Sequence, residues 1–459
     1  MFFSKHQKAD KEPFNQMFSG RDLRMLIGPL LIEQLLSITV GMADSIMVSS
    51  AGEAAISGVS LVDMINVLII NIFAALATGG AVVSSQLLGA GKKERACKSA
   101  VQLLEISLSF SVVIMLFTLA LRYQILRLFF GAIEDDVMQN ALTYFWISSL
   151  SYPFIALYNS CAALFRSMGN SKVSMLTSAG MNVINIAGNA VFVYLFHMGA
   201  AGVATASLIS RAAAAVVMLA LLCRPRHDIH LELRAGLRPD FSMMKEILRI
   251  GIPNSLENSL FQLGRVMVVG IISVFGTVQI AANAVANTMD SFGCIPGQAL
   301  NLAIITVVGR CIGAGEREQA RFYTKKLVGI AYLATICLNT LLLLFLPLIL
   351  QVYGTLSAET IQLATLLIFI HNGCAMLLWP TAFTLPNALR AASDVRFTMV
   401  VAVFSMVAFR VLFSFVLGSW LGWGALGVWT AMIMDWVFRA GCFLWRYHSG
   451  KWLTQKAAV

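Results

Sequence analysis

The feature that most constrains this chain is a series of apolar runs of roughly 20 residues or more, the length a helix needs to cross a bilayer. They lie near 23–49, 57–86, 97–121, 137–165, 172–196 and 201–223, then near 247–275, 280–312, 324–352, 359–388, 396–420 and 425–446. Hydrocarbon offers the backbone no hydrogen-bonding water, so only helices and closed barrels span it. These runs are too long and too continuously apolar for barrel strands, which alternate over about ten residues. An all-α polytopic membrane protein with twelve transmembrane helices is predicted, and a composition of 58% hydrophobic and 12% charged residues agrees.

Lys and Arg sort the turns into two classes. Those after the first, fifth, seventh and eleventh runs hold none, while the other side collects Lys5, Lys8, Lys11, Arg21 and Arg24, then Lys92, Lys93, Arg95 and Lys98, then Arg166 and Lys172. The stretch 224–246, with Arg224, Arg226, Arg234, Arg238 and Lys245, continues this series, and the tail with Arg446, Lys451 and Lys456 ends it. By the positive-inside rule both termini and the central linker are expected in the cytoplasm, with the protein in the cell membrane. The formal charge of +10 thus has a topological origin. Basic clusters without interleaved aromatics give no reason to expect a nucleic-acid partner. The expected partners are the lipid bilayer and small molecules, with a single chain as the working unit. The polar first 22 residues lack a signal-peptide pattern, so the first span is expected to be retained. Eight scattered cysteines without a C-x-x-C pair suggest buried free thiols rather than a metal or redox site.

Sliding the chain against itself by 224 residues aligns "PLLIEQLL" (29–36) with "PNSLENSL" (253–260), "LLGAGKKERA" (87–96) with "CIGAGEREQA" (311–320), and "ALFRSMGNSKVSM" (163–175) with "NALRAASDVRFTM" (387–399). A one-residue slip then aligns "GAAGVATA" (199–206) with "GALGVWTA" (424–431). Recurrence of one offset over such a distance marks a duplication. Each half holds an even number of spans, so the pseudo-twofold axis should run along the membrane normal. The expected organisation is a segment 1–22, a six-helix lobe 23–223, a linker 224–245, a second six-helix lobe 246–446 and a tail 447–459. Transporters of this type bind between repeats near mid-membrane and rock the lobes to alternate access.

Glu33 and Glu257 occupy one repeated position, but Asp44 does not: its counterpart is Val268. Asp44 follows Glu33 by eleven residues, which at about 100° per residue returns to the same helix face three turns on. A carboxylate near the bilayer centre costs about 2.5–3.5 kcal/mol on insertion scales, and a proton or a sodium ion relieves that cost. Asn182, Asn185 and Asn189 share one face of the fifth span, and Thr205 follows in the sixth. Their oxygens suit sodium, and they suit a protonated carboxyl equally. Asp44, Asn185, Asn189 and Thr205 are the candidate coupling group, with sodium placed at the first three. Glu33, Asp63, Glu257, Asn283, Asn287 and Asp290 are candidates for a substrate cleft, acidic from both lobes and favouring cationic ligands. Pro296 predicts a broken eighth span, and Asp435 is a candidate partner for Arg410. No metal-ligand cluster, nucleophile elbow or P-loop is present, so neither an enzyme nor a bound cofactor is expected.

"GMADSIMV" ending the first span, "GAGKKERA" after the second, "LFRSMGN" after the fourth and "IGIPNSLEN" opening the seventh, in this order over twelve spans, resemble the MATE (multidrug and toxic compound extrusion) family. The resemblance implies an antiporter that exports organic, commonly cationic and amphipathic compounds in exchange for protons or sodium ions. It places Asp44 at the family's coupling aspartate, and Asn185, Asn189 and Thr205 at the cation site of the first lobe. Many relatives carry Asp at the position of Asn189. Glu257 resembles the span-seven glutamate of some members, which lies about one turn further from the proline. A flippase for lipids or lipid-linked precursors, of related architecture, is the alternative and predicts a basic cleft instead.

Overall fold

A computed structural model describes residues 16–131, 133–231, 239–353 and 356–457, excepting the side chains of Ser45 and Val352. Lys5, Lys8, Lys11, Arg234 and Arg238 lie outside the described residues. The first half runs α1 (Gly20–Ser49), α2 (Glu53–Gly89), α3 (Lys93–Phe130), α4 (Asp135–Leu150), α5 (Tyr152–Ser167), α6 (Ser171–Asn189) and α7 (Gly199–Leu222). The second runs α8 (Phe241–Ser273), α9 (Thr277–Gly293), α10 (Ile295–Gly313), α11 (Arg317–Leu344), α12 (Leu346–Leu350), α13 (Ala358–Trp379), α14 (Leu385–Ala391), α15 (Val395–Ser405) and α16 (Gly424–His448). No strand occurs among the described residues. Grouped across short breaks and π turns, these helices form six rods in each half, as expected of an all-α membrane protein. Among the described residues nine helical spans, three of them joined across π turns, are long and apolar enough to cross a membrane. The count falls below twelve because α4 and α5 divide one rod at Ser151, while α8 and α16 carry several charges.

Breaks have identifiable causes. Pro29 lies inside α1 and removes the bond that would reach back to Met25; the Ser171 hydroxyl instead donates to the carbonyls of Met25 and Leu26, at 3.3 and 2.6 Å. The eighth rod breaks at Cys294, just before Pro296, as its sequence predicts. Buried Asn339 donates to the Gly293 carbonyl there at 3.2 Å. π turns at Ala190–Leu195 and Phe415–Trp420 occupy equivalent places in the two halves, but Pro380–Thr384 and Met406–Leu412 are π turns without a counterpart among the described residues of the first half, and the second of them lies where the repeat slips. A π turn holds one residue more than an α turn. It accounts for the slip of the repeat from 224 to 225. All eight cysteines are free, but only Cys161, Cys294 and Cys311 are buried, fewer than expected. Of the others Cys337 is exposed and four are half-buried, Cys97 with its thiol against the Asp228 carbonyl at 3.7 Å.

The halves are sewn together at one end, and the seam repeats itself. A Cβ on Gly89 would stand 2.0 Å from the Arg310 carbonyl oxygen, and one on Gly313 would stand 1.8 Å from that of Gln86. Arg310 Nε donates to the Ser167 carbonyl at 3.0 Å, and Gln86 Nε2 to the Ala391 carbonyl at 2.7 Å. Each of these contacts maps onto the other under the 224 shift. Asn254 Nδ2 donates to the Ala75 carbonyl at 3.1 Å a little further along. Small residues permit this backbone approach. Gly313→Ala is therefore expected to part the seam, and site-resolved alkylation of buried Cys311 should rise relative to wild type; unchanged labelling would show that the seam tolerates the methyl.

The faces sealed at this end diverge at the other. Eleven residues from Ala75 and Asn254, on the same helix faces, Met64 and Arg265 are exposed. We take this uncovered end as the mouth of the cleft between the lobes.

Candidate functional site

The first lobe gathers a polar group along its cleft wall. Asp44, near the end of α1, is half-buried, and its Oδ1 accepts from Asn189 Nδ2 at 2.5 Å. Asn189 Nδ2 also reaches Asn185 Oδ1 at 3.3 Å, and Asn185 Nδ2 donates to Ser207 Oγ at 3.1 Å. Asn189 is completely buried, yet its Oδ1 has no hydrogen-bond partner among the described residues. Such an orphaned acceptor costs free energy unless a donor or cation is present for part of the cycle. Asp44 forms no ion pair among the described residues; Asp63 and Arg211 are its charged neighbours. Asp63 Oδ1 accepts from Tyr144 at 2.8 Å and from Asn66 at 3.3 Å. Arg211 Nη1 donates to Ser151 Oγ at 2.7 Å, at the break between α4 and α5.

Asp44, Asn185 and Asn189 therefore come together. Thr205 does not join them: its hydroxyl donates back to the Ala201 carbonyl at 2.7 Å, and Ser207 meets Asn185 instead. Ser207 lies two residues beyond Thr205 and so on another face of α7, and the sequence carries no signal for which of these faces meets α6. Asn182 Nδ2 reaches the Leu36 carbonyl of α1 at 3.3 Å, acting as a tie between helices.

Glu33 and Glu257 are held by arginines of their own lobes. Arg166 Nη1 lies 3.4 Å from Glu33 Oε1, and Ser174 donates to Oε2 at 2.9 Å. Arg390 Nη2 lies 2.5 Å from Glu257 Oε1 and is braced by Asn387 at 2.7 Å through Nη1. The two pairs are equivalents under the repeat, and Arg166 and Arg390 also precede the residues that receive the seam bonds.

The second lobe differs from the acidic wall expected there. Asn283 Oδ1 accepts from Trp429 Nε1 at 3.0 Å, while Asp290 receives the Cys294 thiol at 3.1 Å and faces His371 at 3.6 Å. Buried His371 bonds Asn372 and packs against Trp429 and Trp436, a structural setting. Asn283 and Asn287 instead share a pocket with Arg265 and Arg410, supplied by two other helices. Asp435 approaches Arg410 at 3.8 Å, the pairing considered from sequence, but Arg439 is its nearer partner at 2.9 Å. No cluster of metal-ligating His, Cys, Asp and Glu occurs among the described residues.

Two helical lobes around a cleft, with ionisable groups on membrane helices, define a multi-pass membrane transporter rather than an enzyme. The MatE family model matches residues 29–191 and again 253–416, one match per half, and the chain belongs to that family. Its starts are 224 residues apart and its ends 225, repeating the slip. The chain is 28% identical over 466 residues to the uncharacterized transporter YisQ of Bacillus subtilis (strain 168), covering 98% of each. It is 25% identical over 447 residues to the probable multidrug resistance protein NorM of Thermotoga maritima, covering 96% of this chain and 94% of the other. Among solved structures, an outward-facing multidrug resistance MATE family transporter matches with a TM-score of 0.87 at 21% identity, over 95% of this chain and 97% of that one. A MOP superfamily transporter from Pyrococcus furiosus Vc1, described as having a binding pocket of reverse polarity, matches with a TM-score of 0.88 at 21% identity, over 95% and 97%. At this identity the structures establish the fold.

Proposed function

We propose that the chain is a secondary active exporter that moves small amphipathic organic compounds, cationic ones among them, out of the cell in exchange for protons or sodium ions. The lobes are 23–223 and 246–446, with the termini and the linker 224–245 cytoplasmic, and one chain suffices for the cycle. The observation that carries this reading is Asp44, a membrane-helix carboxylate without an ion pair among the described residues, next to the unpartnered Oδ1 of buried Asn189. A sodium ion or a proton supplies what both oxygens lack: the ion accepts ligation from the carboxylate and the Asn185 and Asn189 carbonyls, while the proton makes Asp44 a donor. Ion binding drives transport only when it favours one arrangement of the lobes over the other. With the seam on the cytoplasmic side, the conformation described is open outward, the state in which the coupling ion enters.

Proteoliposome transport of a fluorescent organic cation under separately imposed proton and sodium gradients tests this. Export driven by one of them is expected; transport indifferent to both refutes the antiport. The basic pocket of the second lobe favours a second reading, a flippase whose arginines take a lipid headgroup. Translocation of a labelled phospholipid without ion flux would establish it.

A further inference from the structure

The pocket between α8, α9, α16 and the π turn Met406–Leu412 is the duplicate of the Asp44 site. Under the 224 shift Asp44 maps to Val268 and Asp63 to Asn287; beyond the slip, Asn185 maps to Arg410 and Ser207 to Met432. Val268, Asn287, Arg410 and Met432 all line this one pocket, whose cavity is about 60 Å³. The contacts are inherited too. Where Asn185 Nδ2 meets Ser207 Oγ at 3.1 Å, Arg410 Nη2 meets Met432 Sδ at 3.0 Å.

What has changed is the sign of the charge. Both carboxylates of the first site are absent from their equivalent places, and Arg265 and Arg410 stand in the second. Arg265 is exposed to the cleft, with no hydrogen bond or ion pair among the described residues. Arg410 is buried, and its Nε has no hydrogen-bond partner among the described residues. Asp435 compensates it only in part, being shared with Arg439, and Asp290 is engaged by Cys294. Guanidinium groups with unused N–H donors are built for anionic oxygen acceptors. The walls from Val268, Val428 and Trp429 offer an apolar surface beside them, and the cavity has room for an anionic head group rather than for a whole organic molecule.

We infer that this pocket binds the anionic oxygen group, a carboxylate, sulfonate or phosphate, of an amphipathic organic compound, which makes anionic and zwitterionic amphipaths substrates of the protein. The substrate assignment rests on the transport reading above; the binding does not.

The test is binding to the full chain in phosphatidylcholine nanodiscs without any gradient, using 1-pyrenesulfonate and 1-pyrenemethylammonium, which share an apolar body and differ in charge. The sulfonate is expected to bind about ten-fold more tightly, a preference that Arg265→Gln reduces to about two-fold or less. Equal or tighter binding of the ammonium, or a preference that survives Arg265→Gln, overturns the inference. Because Arg265 is exposed, its replacement leaves the buried Arg410–Asp435–Arg439 cluster intact. Repeating the titration in phosphatidylglycerol nanodiscs, with salt added to screen the surface charge, separates the sources of the anion. Unchanged sulfonate affinity supports a soluble ligand, whereas its loss assigns the pocket to a lipid headgroup and overturns the substrate assignment. Sulfonate binding without coupled export would refute the antiport alone.

Discussion

Asp44→Asn is expected to reduce gradient-driven transport to the leak seen without a gradient, with the protein folded. The substitution keeps the shape of the side chain and the acceptor for Asn189, so the melting temperature should stay within about 4 °C of wild type. What it removes is the only member of the Asp44–Asn185–Asn189 group able to exchange a proton or to neutralise a cation's charge. Without that charge the ion has no differential affinity for the two arrangements of the lobes, and nothing shifts. Vesicle efflux under an imposed gradient, beside a melting curve, measures both halves of this expectation. Wild-type coupling in the mutant would move the coupling role elsewhere, with Asp63 the next candidate.

Glu257→Gln should be the most destabilising single change among the cleft candidates. It leaves Arg390, a residue only 9% exposed, without its carboxylate. Breaking a buried pair by removing one partner costs about 3–5 kcal/mol. The equivalent Glu33→Gln should cost less, because its pair with Arg166 is longer, at 3.4 Å, and Ser174 remains as a partner for the amide. Replacing Glu257 and Arg390 together by apolar residues should recover most of the loss, since the desolvation of both charges is then avoided. Denaturant or thermal unfolding of the three variants gives the order. A neutral Glu257→Gln, or a larger effect at Glu33, would contradict the geometry.

Much of this was legible in the sequence because duplication and membrane burial both leave long-range marks. The 224-residue offset, the bilayer-length apolar runs and the break at Pro296 follow from spacing and hydropathy. Arg166 illustrates the limit. As one of a series of basic residues it marks a side of the membrane, but its bond to Glu33, 133 positions away, depends on how two helices cross. Arg265 and Arg410 were visible as isolated charges in separate spans; only packing around the π turn Met406–Leu412 brings them into one pocket. The choice between Thr205 and Ser207 turned on helix rotation, and two residues along a helix differ by about 200°.

The seam has a consequence for how the molecule opens. Gln86 reaches into the second half and Arg310 into the first, so each half carries the bolt for the other's door and neither can shut alone. Both bolts sit beside the same glycine crossing. Drawing one disturbs the backbone against which the other rests, so the passage unlocks in a single stroke rather than by degrees. A transporter that must never stand ajar at both faces gains its leak-tightness from that shared hinge.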